Sequence, residues 1–353
     1  MALAWEKIAV ETEDGSVREG IAPLILSASR ATDIPAFHAA WFMRRLERGY
    51  FRWVNPFNPM ASQYVSTAKT RAVVFWTKNP EPMFPYLHRL DERGLGYYYQ
   101  FTLNDYEREG FEPGVPPLEK RIETFAELSR RIGKERVIWR FDPLLPAPGL
   151  GVPELMERVF RLGERLVLHT DRLSVGFADV AVYPSVRRNL IRCRSFFTPQ
   201  NIGRAEFTDD MKRVAAEALG NMQERWRRLN PDFRIVACAE PLSLEEFGIG
   251  RGKCIDDDLL IRLFPQDKAL MDFLGYRSAP DGGDARTPAE RKRLKDPGQR
   301  KACGCVRSKD IGSYATCSHL CVYCYANASP EKVVKNLKRL RPESDSLLPA
   351  GDE

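Results

Sequence analysis

Three cysteines fall within eight residues in the stretch Thr316-Cys317-Ser-His-Leu-Cys321-Val-Tyr-Cys324-Tyr325, a C-x3-C-x2-C spacing. Thiolates gathered this tightly suit a soft metal. A cubane iron–sulfur cluster closed by protein uses four cysteines, so three would hold three irons and leave the fourth open. An open coordination position is what separates a reactive metal centre from a structural one. The competing reading is a structural zinc with His319 as fourth ligand. Zinc sites usually combine two separated ligand pairs, and His319 lies between two of the cysteines, where a compact tetrahedron is hard to close.

Seven of the eight cysteines lie in the last third of the chain. Cys238, Cys254, Cys303 and Cys305 are the full complement for a second, closed 4Fe-4S cluster or for an all-cysteine zinc site, and their scattered positions can meet only in the fold. Cys193, flanked by Arg192 and Arg194, has the cationic surroundings that depress a thiol pKa, but stands alone. Nothing in the 353 residues resembles a membrane span or a secretory leader, so a cytoplasmic protein with reduced thiols is expected. The formal charge of +6 is a mild excess that does not demand an anionic partner.

The elements that position these groups follow from periodicity. Alternation around Asp14-Gly15 predicts a hairpin over Lys7 to Gly20, an N-terminal extension of residues 1–20. Strand-length apolar runs then recur at Ala22 to Ser27, Ala72 to Thr77, Tyr97 to Thr102, Val137 to Phe141, Leu173 to Ala178 and Phe233 to Ala239, separated by helical patterns such as Ile122, Phe125, Leu128. Repeated βα units imply parallel strands and an α/β (β/α) barrel over residues 21–342. A last strand is expected at Val306 to Tyr314, before a helix from about Ser329. Residues 278–300 read as a mobile polar excursion and 343–353 as a flexible tail.

Polar residues gather where each run stops: Ser29, Arg30 and Asp33; Lys78 and Asn79; Gln100, Thr102 and Asn104; Arg140 and Asp142; Asp179; Glu240. In a (β/α) barrel these positions share one mouth. Asn79-Pro80, Asp142-Pro143 and Glu240-Pro241 are equally ordinary turn-starting pairs. Lys78 and Asp142 are the first candidates for catalytic proton or charge roles.

The cysteine loop, with an aromatic at Tyr323 before the last cysteine, resembles that of the radical S-adenosylmethionine (SAM) superfamily. The string Cys-Ser-His-Leu-Cys-Val-Tyr-Cys-Tyr-Ala is similar to its spore photoproduct lyase-like branch. Over nearly its whole length the chain also resembles an uncharacterised bacterial family, through Ser-Ala-Ser-Arg (27 to 30), Trp-Thr-Lys-Asn-Pro (76 to 80), Trp-Arg-Phe-Asp-Pro (139 to 143) and the C-terminal cysteines. In the superfamily the loop follows the first barrel strand, whereas here it follows six candidate strands. The resemblance therefore implies a circularly permuted partial barrel with Val306 to Tyr314 beside Ala22 to Ser27.

It further implies a 4Fe-4S cluster on Cys317, Cys321 and Cys324, SAM as cosubstrate, an unknown substrate and an electron donor such as flavodoxin or ferredoxin. Ser27, Ser29 and Arg30 would then stand at the methionine end of SAM, the Tyr323 backbone near its adenine, and Asn104, Arg140 or Asp142 near its ribose or carboxylate. Rival readings are an iron–sulfur electron carrier or redox sensor and a zinc-stabilised nucleic-acid-binding module. For the latter, Arg187, Arg188, Arg192 and Arg194 with Phe196 and Phe197 could hold phosphates and stack bases. Tyr97, Tyr98 and Tyr99 read as strand packing.

Overall fold

Runs of β-branched and aromatic residues that alternate by parity build two sheets. The computed structural model describes residues 5–193, 196–279 and 283–348. Twelve strands are formed among them: β1 (Lys7–Glu11), β2 (Val17–Ile21), β3 (Ile25–Ala28), β4 (Tyr50–Asn55), β5 (Asn58–Ser66), β6 (Ala72–Thr77), β7 (Gly96–Thr102), β8 (Val137–Leu144), β9 (Arg172–Phe177), β10 (Arg234–Cys238), β11 (Gly250–Gly252) and β12 (Lys309–Asp310). Eight make a parallel sheet in the order β11-β10-β9-β8-β7-β6-β3-β12, and four make a smaller sheet in the order β1-β2-β5-β4. No pairing of β11 with β12 closes the large sheet among the described residues, so the fold is α/β with an open parallel sheet flanked by helices.

Period-2 alternation sorts the large sheet into two faces. Leu26, Val73, Phe75, Tyr97, Tyr99, Phe101, Trp139 and Phe141 belong to the main core, which also takes in the buried sides of the helices Ala39–Arg48, Leu118–Ile132, Val152–Leu166 and Asp209–Arg227. Close packing between the last two needs a glycine, because a Cβ on Gly163 would lie 1.9 Å from the Trp226 ring. Ile25, Val74, Tyr98 and Ile138 face the other way and meet Leu259, Leu260, Leu270 and Met271 of the helices Asp257–Leu263 and Lys268–Leu274. These seal the N-terminal half of that face and leave its polar C-terminal half open.

The strand expected at Val306 to Tyr314 shrinks to Lys309–Asp310, but it lies beside β3 and parallel to it, with Lys309 opposite Leu26 and Asp310 opposite Ser27. Lys309 and Asp310 pair with β3, Ile311 N adds a bond to Ser27 O at 3.2 Å, and Gly312 and Ser313 then lead the chain toward the cysteine loop.

The expected mobile excursion is ordered where it is described. Its charges are used internally: Arg286, fully buried, pairs with Asp257 at 2.9 Å, Asp258 at 3.1 Å and Asp284 at 2.7 Å, and Thr287 opens the helix Pro288–Arg293 with a reciprocal capping box. Residues 280–282 lie outside the described residues. The first part of the expected flexible tail also packs, through Asp345 O accepting from Arg52 N at 2.8 Å, Ser344 O accepting from Trp41 Nε1 at 2.9 Å, and Leu347 in the core. Residues 349–353 lie outside the described residues. The predicted hairpin forms with Asp14-Gly15 at its turn, though β4 and β5 join it to make a full sheet.

Arg286→Ala removes one of the two cationic partners of buried Asp257, leaving Lys253 at 2.6 Å, and should cost about 1–3 kcal/mol. The urea midpoint should fall accordingly, whereas Lys268→Ala, which breaks an exposed pair with Asp272, should barely move it.

Candidate metal centre

The C-terminal ends of β6 to β10 open onto a two-lobed basin. The smaller lobe, about 270 Å³, is walled by Cys317, Cys321 and Cys324. The larger, about 710 Å³, reaches Cys238, Cys254, Cys303 and Cys305. Ser29, Arg30, Lys78, Asp142 and Cys324 line both lobes.

The cysteine loop owes its shape to backbone contacts rather than to regular structure. Ala315 and Leu320 adopt left-handed φ values of 55° and 53°. Val322 N donates to Phe111 O at 3.0 Å, Gly114 N to His319 O at 2.9 Å and Ala315 N to Ala326 O at 2.9 Å. Buried amides add to this, with Asn327 Nδ2 donating to Cys317 O at 3.0 Å and Asn336 Nδ2 to Ala315 O at 3.1 Å. Position 114 must be glycine for the loop to lie so close, since a Cβ there would meet Ser318 O at 2.3 Å.

The three thiols are held in apolar surroundings. Burial pushes Cys317 up to about 12, Cys321 well above the ordinary thiol range and Cys324 upward too. At neutral pH they keep their protons unless a cation displaces them, which is what a metal does. His319 is committed elsewhere: its Nδ1 lies 3.0 Å from Gly114 O and its Nε2 2.8 Å from Asp33 Oδ2. Neither ring nitrogen is left for a metal.

Two buried carboxylates tie the loop to the strand ends. Asp33 accepts from Ala36 N at 3.0 Å, capping the helix Ile34–Phe37, and its other oxygen accepts from Lys78 N at 2.7 Å besides meeting His319. Glu112 accepts from Lys78 Nζ at 2.7 Å, Asn104 Nδ2 at 3.0 Å and the Tyr323 hydroxyl, and pairs with Arg121 at 3.4 Å. Burial alone would raise its pKa, but Lys78 and Arg121 outweigh that and hold Glu112 below the ordinary carboxylate value. Glu112 escapes sequence reasoning because it sits in the loop after β7. The one signal is an acid set between Phe111 and the Pro113-Gly114 turn.

The expected site residues divide. Ser29 and Arg30 line the basin. The Ser29 Oγ accepts from Ala31 N at 2.8 Å, and Arg30 lies 5.0 Å over the Trp76 ring with a buried Nη2 that no described residue bonds. Ser27 is buried away from the basin, its Oγ 2.7 Å from Ser308 Oγ. Asn104 lines neither lobe. It bonds Glu112, the Tyr323 hydroxyl and the Asp142 backbone, so it braces the wall and cannot contact a ligand.

Arg140 turns to Cys254 Sγ at 2.9 Å and to Asp142, away from the tripod. Lys78 lines the basin, but its ammonium is held by Glu112 and the Tyr323 hydroxyl, and Asp142 stays partly open to the basin. The expected base stackers are absent: Phe196 and Phe197 pack on Phe111. Arg192 pairs with Glu331, and Arg194 lies outside the described residues. Cys193 ends the helix Pro184–Arg192 and lines neither lobe. Among the described residues no helix is long and apolar enough to cross a membrane.

The profile of the family described as "Domain of unknown function (DUF1848)" matches residues 25–326, and the chain belongs to that family. No curated protein and no solved structure matches.

Glu112→Gln should destabilise the protein by about 3–5 kcal/mol at neutral pH, because Lys78 and Arg121 lose their counter-charge. The ionised Glu112 contributes fully above its unfolded pKa near 4.5 and loses its contribution as pH falls through the lower folded value. Urea midpoints of the two proteins should therefore converge as pH drops below 4.5.

Proposed function

We propose that this member of the DUF1848 family is a radical SAM enzyme that binds a 4Fe-4S cluster through Cys317, Cys321 and Cys324. The observation that carries the reading is a C-x3-C-x2-C loop whose thiols, two buried and one half-buried, face a basin while its one imidazole is bonded elsewhere. Three donors without a fourth suit a cluster with one open iron better than a closed zinc site. When bound and reduced, such a cluster supplies one electron to the sulfonium of SAM, giving methionine and a 5'-deoxyadenosyl radical.

The chain's own residues supply binding and exclusion of water. Arg30, with its unbonded Nη2, suits the carboxylate of the methionine moiety, and the turn from Ser29 to Asp33 suits its amino group. Tyr323 would border the adenine through its backbone while Lys78 and Glu112 fix its ring. Asp142 is left as the candidate for a substrate-facing charge. Architecture supports the same reading, because a circularly permuted partial barrel of radical SAM type, with the cluster-bearing unit last, would need β12 to lie parallel to β3, as it does. The enzyme would draw its electron from a donor of the flavodoxin or ferredoxin kind.

Protein reconstituted anaerobically with iron and sulfide, then reduced with SAM present, should release methionine and 5'-deoxyadenosine. Cys317→Ala, Cys321→Ala and Cys324→Ala should each reduce both products to background. A protein that loads iron yet forms neither product is an electron carrier, and one that purifies colourless with zinc is a zinc-stabilised module; either outcome would sink the enzymatic reading.

A further inference from the structure

The four cysteines outside the tripod come from three separate stretches of chain, and the fold gathers them. Cys238 ends β10, Cys254 lies just past β11, and Cys303 and Cys305 precede β12. The Sγ atoms of Cys238 and Cys254 are 3.2 Å apart. Cys254 N and Ile255 N donate to Cys305 Sγ at 3.1 and 3.4 Å, and Cys305 N donates to Cys303 Sγ at 3.5 Å. Arg140 Nη1 donates to Cys254 Sγ at 2.9 Å.

This is an environment built for anionic sulfur. Three backbone amides and a guanidinium point at three of the four sulfurs, and charge-assisted bonds of this kind favour thiolate over thiol.

The scaffold is rigid as well: Tyr98 OH and Gln100 Nε2 both donate to Cys254 O, at 2.6 and 2.9 Å. Arg30, Arg140 and Arg300 line the same lobe, with Arg140 paired to Asp142 and Arg300 to Asp179. None of this is needed for a set of inert core thiols, which would sit among apolar groups with no aimed donors.

We propose that Cys238, Cys254, Cys303 and Cys305 ligate a second metal centre, an iron–sulfur cluster in which a protein thiolate caps every iron. A lone zinc would need all four sulfurs closed round a point ~2.3 Å from each. Here the sulfurs stand on the wall of an open lobe of about 710 Å³ with room for inorganic sulfide and iron, into which Cys238 and Cys254, 3.2 Å apart, would separate to cap different irons. With its coordination closed by protein, this centre takes no exogenous ligand, in contrast to the tripod, and the inference stands whether or not the tripod cleaves SAM.

The test uses the full chain, reconstituted anaerobically with iron and sulfide, with iron and zinc counted. Wild type should hold ~8 irons; a Cys238→Ala/Cys254→Ala/Cys303→Ala/Cys305→Ala variant and a Cys317→Ala/Cys321→Ala/Cys324→Ala variant should each retain ~4. The second centre is refuted if the tripod variant binds no iron or binds zinc instead, or if the four-cysteine variant keeps the full iron complement.

Because the four-cysteine variant can fail to fold, a measurement on the unaltered protein decides independently. Reduced wild type should give two sets of electron paramagnetic resonance signals, one of them unmoved by SAM. A single set with ~4 irons overturns the proposal, as does a Cys238–Cys254 disulfide found by mass spectrometry in the anaerobically purified chain. Loss of SAM cleavage with ~8 irons present would count against the enzymatic reading alone.

Discussion

Two residues of strand, Lys309 and Asp310, fasten the cysteine loop to the opposite end of the chain. Their parallel pairing with Leu26 and Ser27 is short, and side chains extend it. The Asp310 carboxylate accepts from Arg30 N at 2.8 Å and from Gly312 N at 2.9 Å, so one charge holds both the turn after β3 and the turn after β12. Hydrogen bonds to an ionised group contribute about 1.5–3 kcal/mol each, enough to compensate for a two-residue ladder. Gly312 completes the junction, because a Cβ there would fall 2.0 Å from Ser29 Oγ. This clasp acts with the His319–Asp33 and Tyr325–Arg30 bonds to keep the tripod and the Ser29 to Asp33 turn on one basin.

The walls of that basin are set by Asp33 and Glu112, which grip Lys78 from its two ends. Asp33 holds the Lys78 backbone amide and Glu112 holds its ammonium, while His319 and Tyr323 of the cysteine loop answer the same two carboxylates. Three strand ends and the loop are thereby cross-linked through buried charge. Such networks are costly unless every member is satisfied, and here the donors converge on the acceptors in full. The result is a stiff polar rim around the three thiols, with Lys78 on the wall of the same lobe.

Much of this frame was legible in the chain and some was not. The run Ala72 to Thr77 coincides with β6 because its residues are buried on both faces and bounded by Lys78-Asn79-Pro80. By contrast β11 carries glycine and is held by its neighbour, so no periodicity announces it, and of the longer run expected at Val306 to Tyr314 only the charged pair of β12 forms strand. β4 and β5 were passed over because their hairpin alternates weakly and ends in exposed Phe57. At the site, the three cysteines of the loop share one lobe because they are local in sequence. Spacing could not tell that Asn104 folds back onto Glu112, or that Arg140 turns to Cys254. Those choices depend on which side of a strand end the next loop returns along, which is a tertiary fact.

The strand order carries a consequence for biogenesis. β12 follows every other strand along the chain, so the ribosome delivers it after the rest of the sheet can already have formed. Until it arrives, β3 presents a bare backbone edge, the kind of surface that recruits stray strands. Closing that edge and bringing in Cys317, Cys321 and Cys324 are one event, which an interrupted translation product cannot complete.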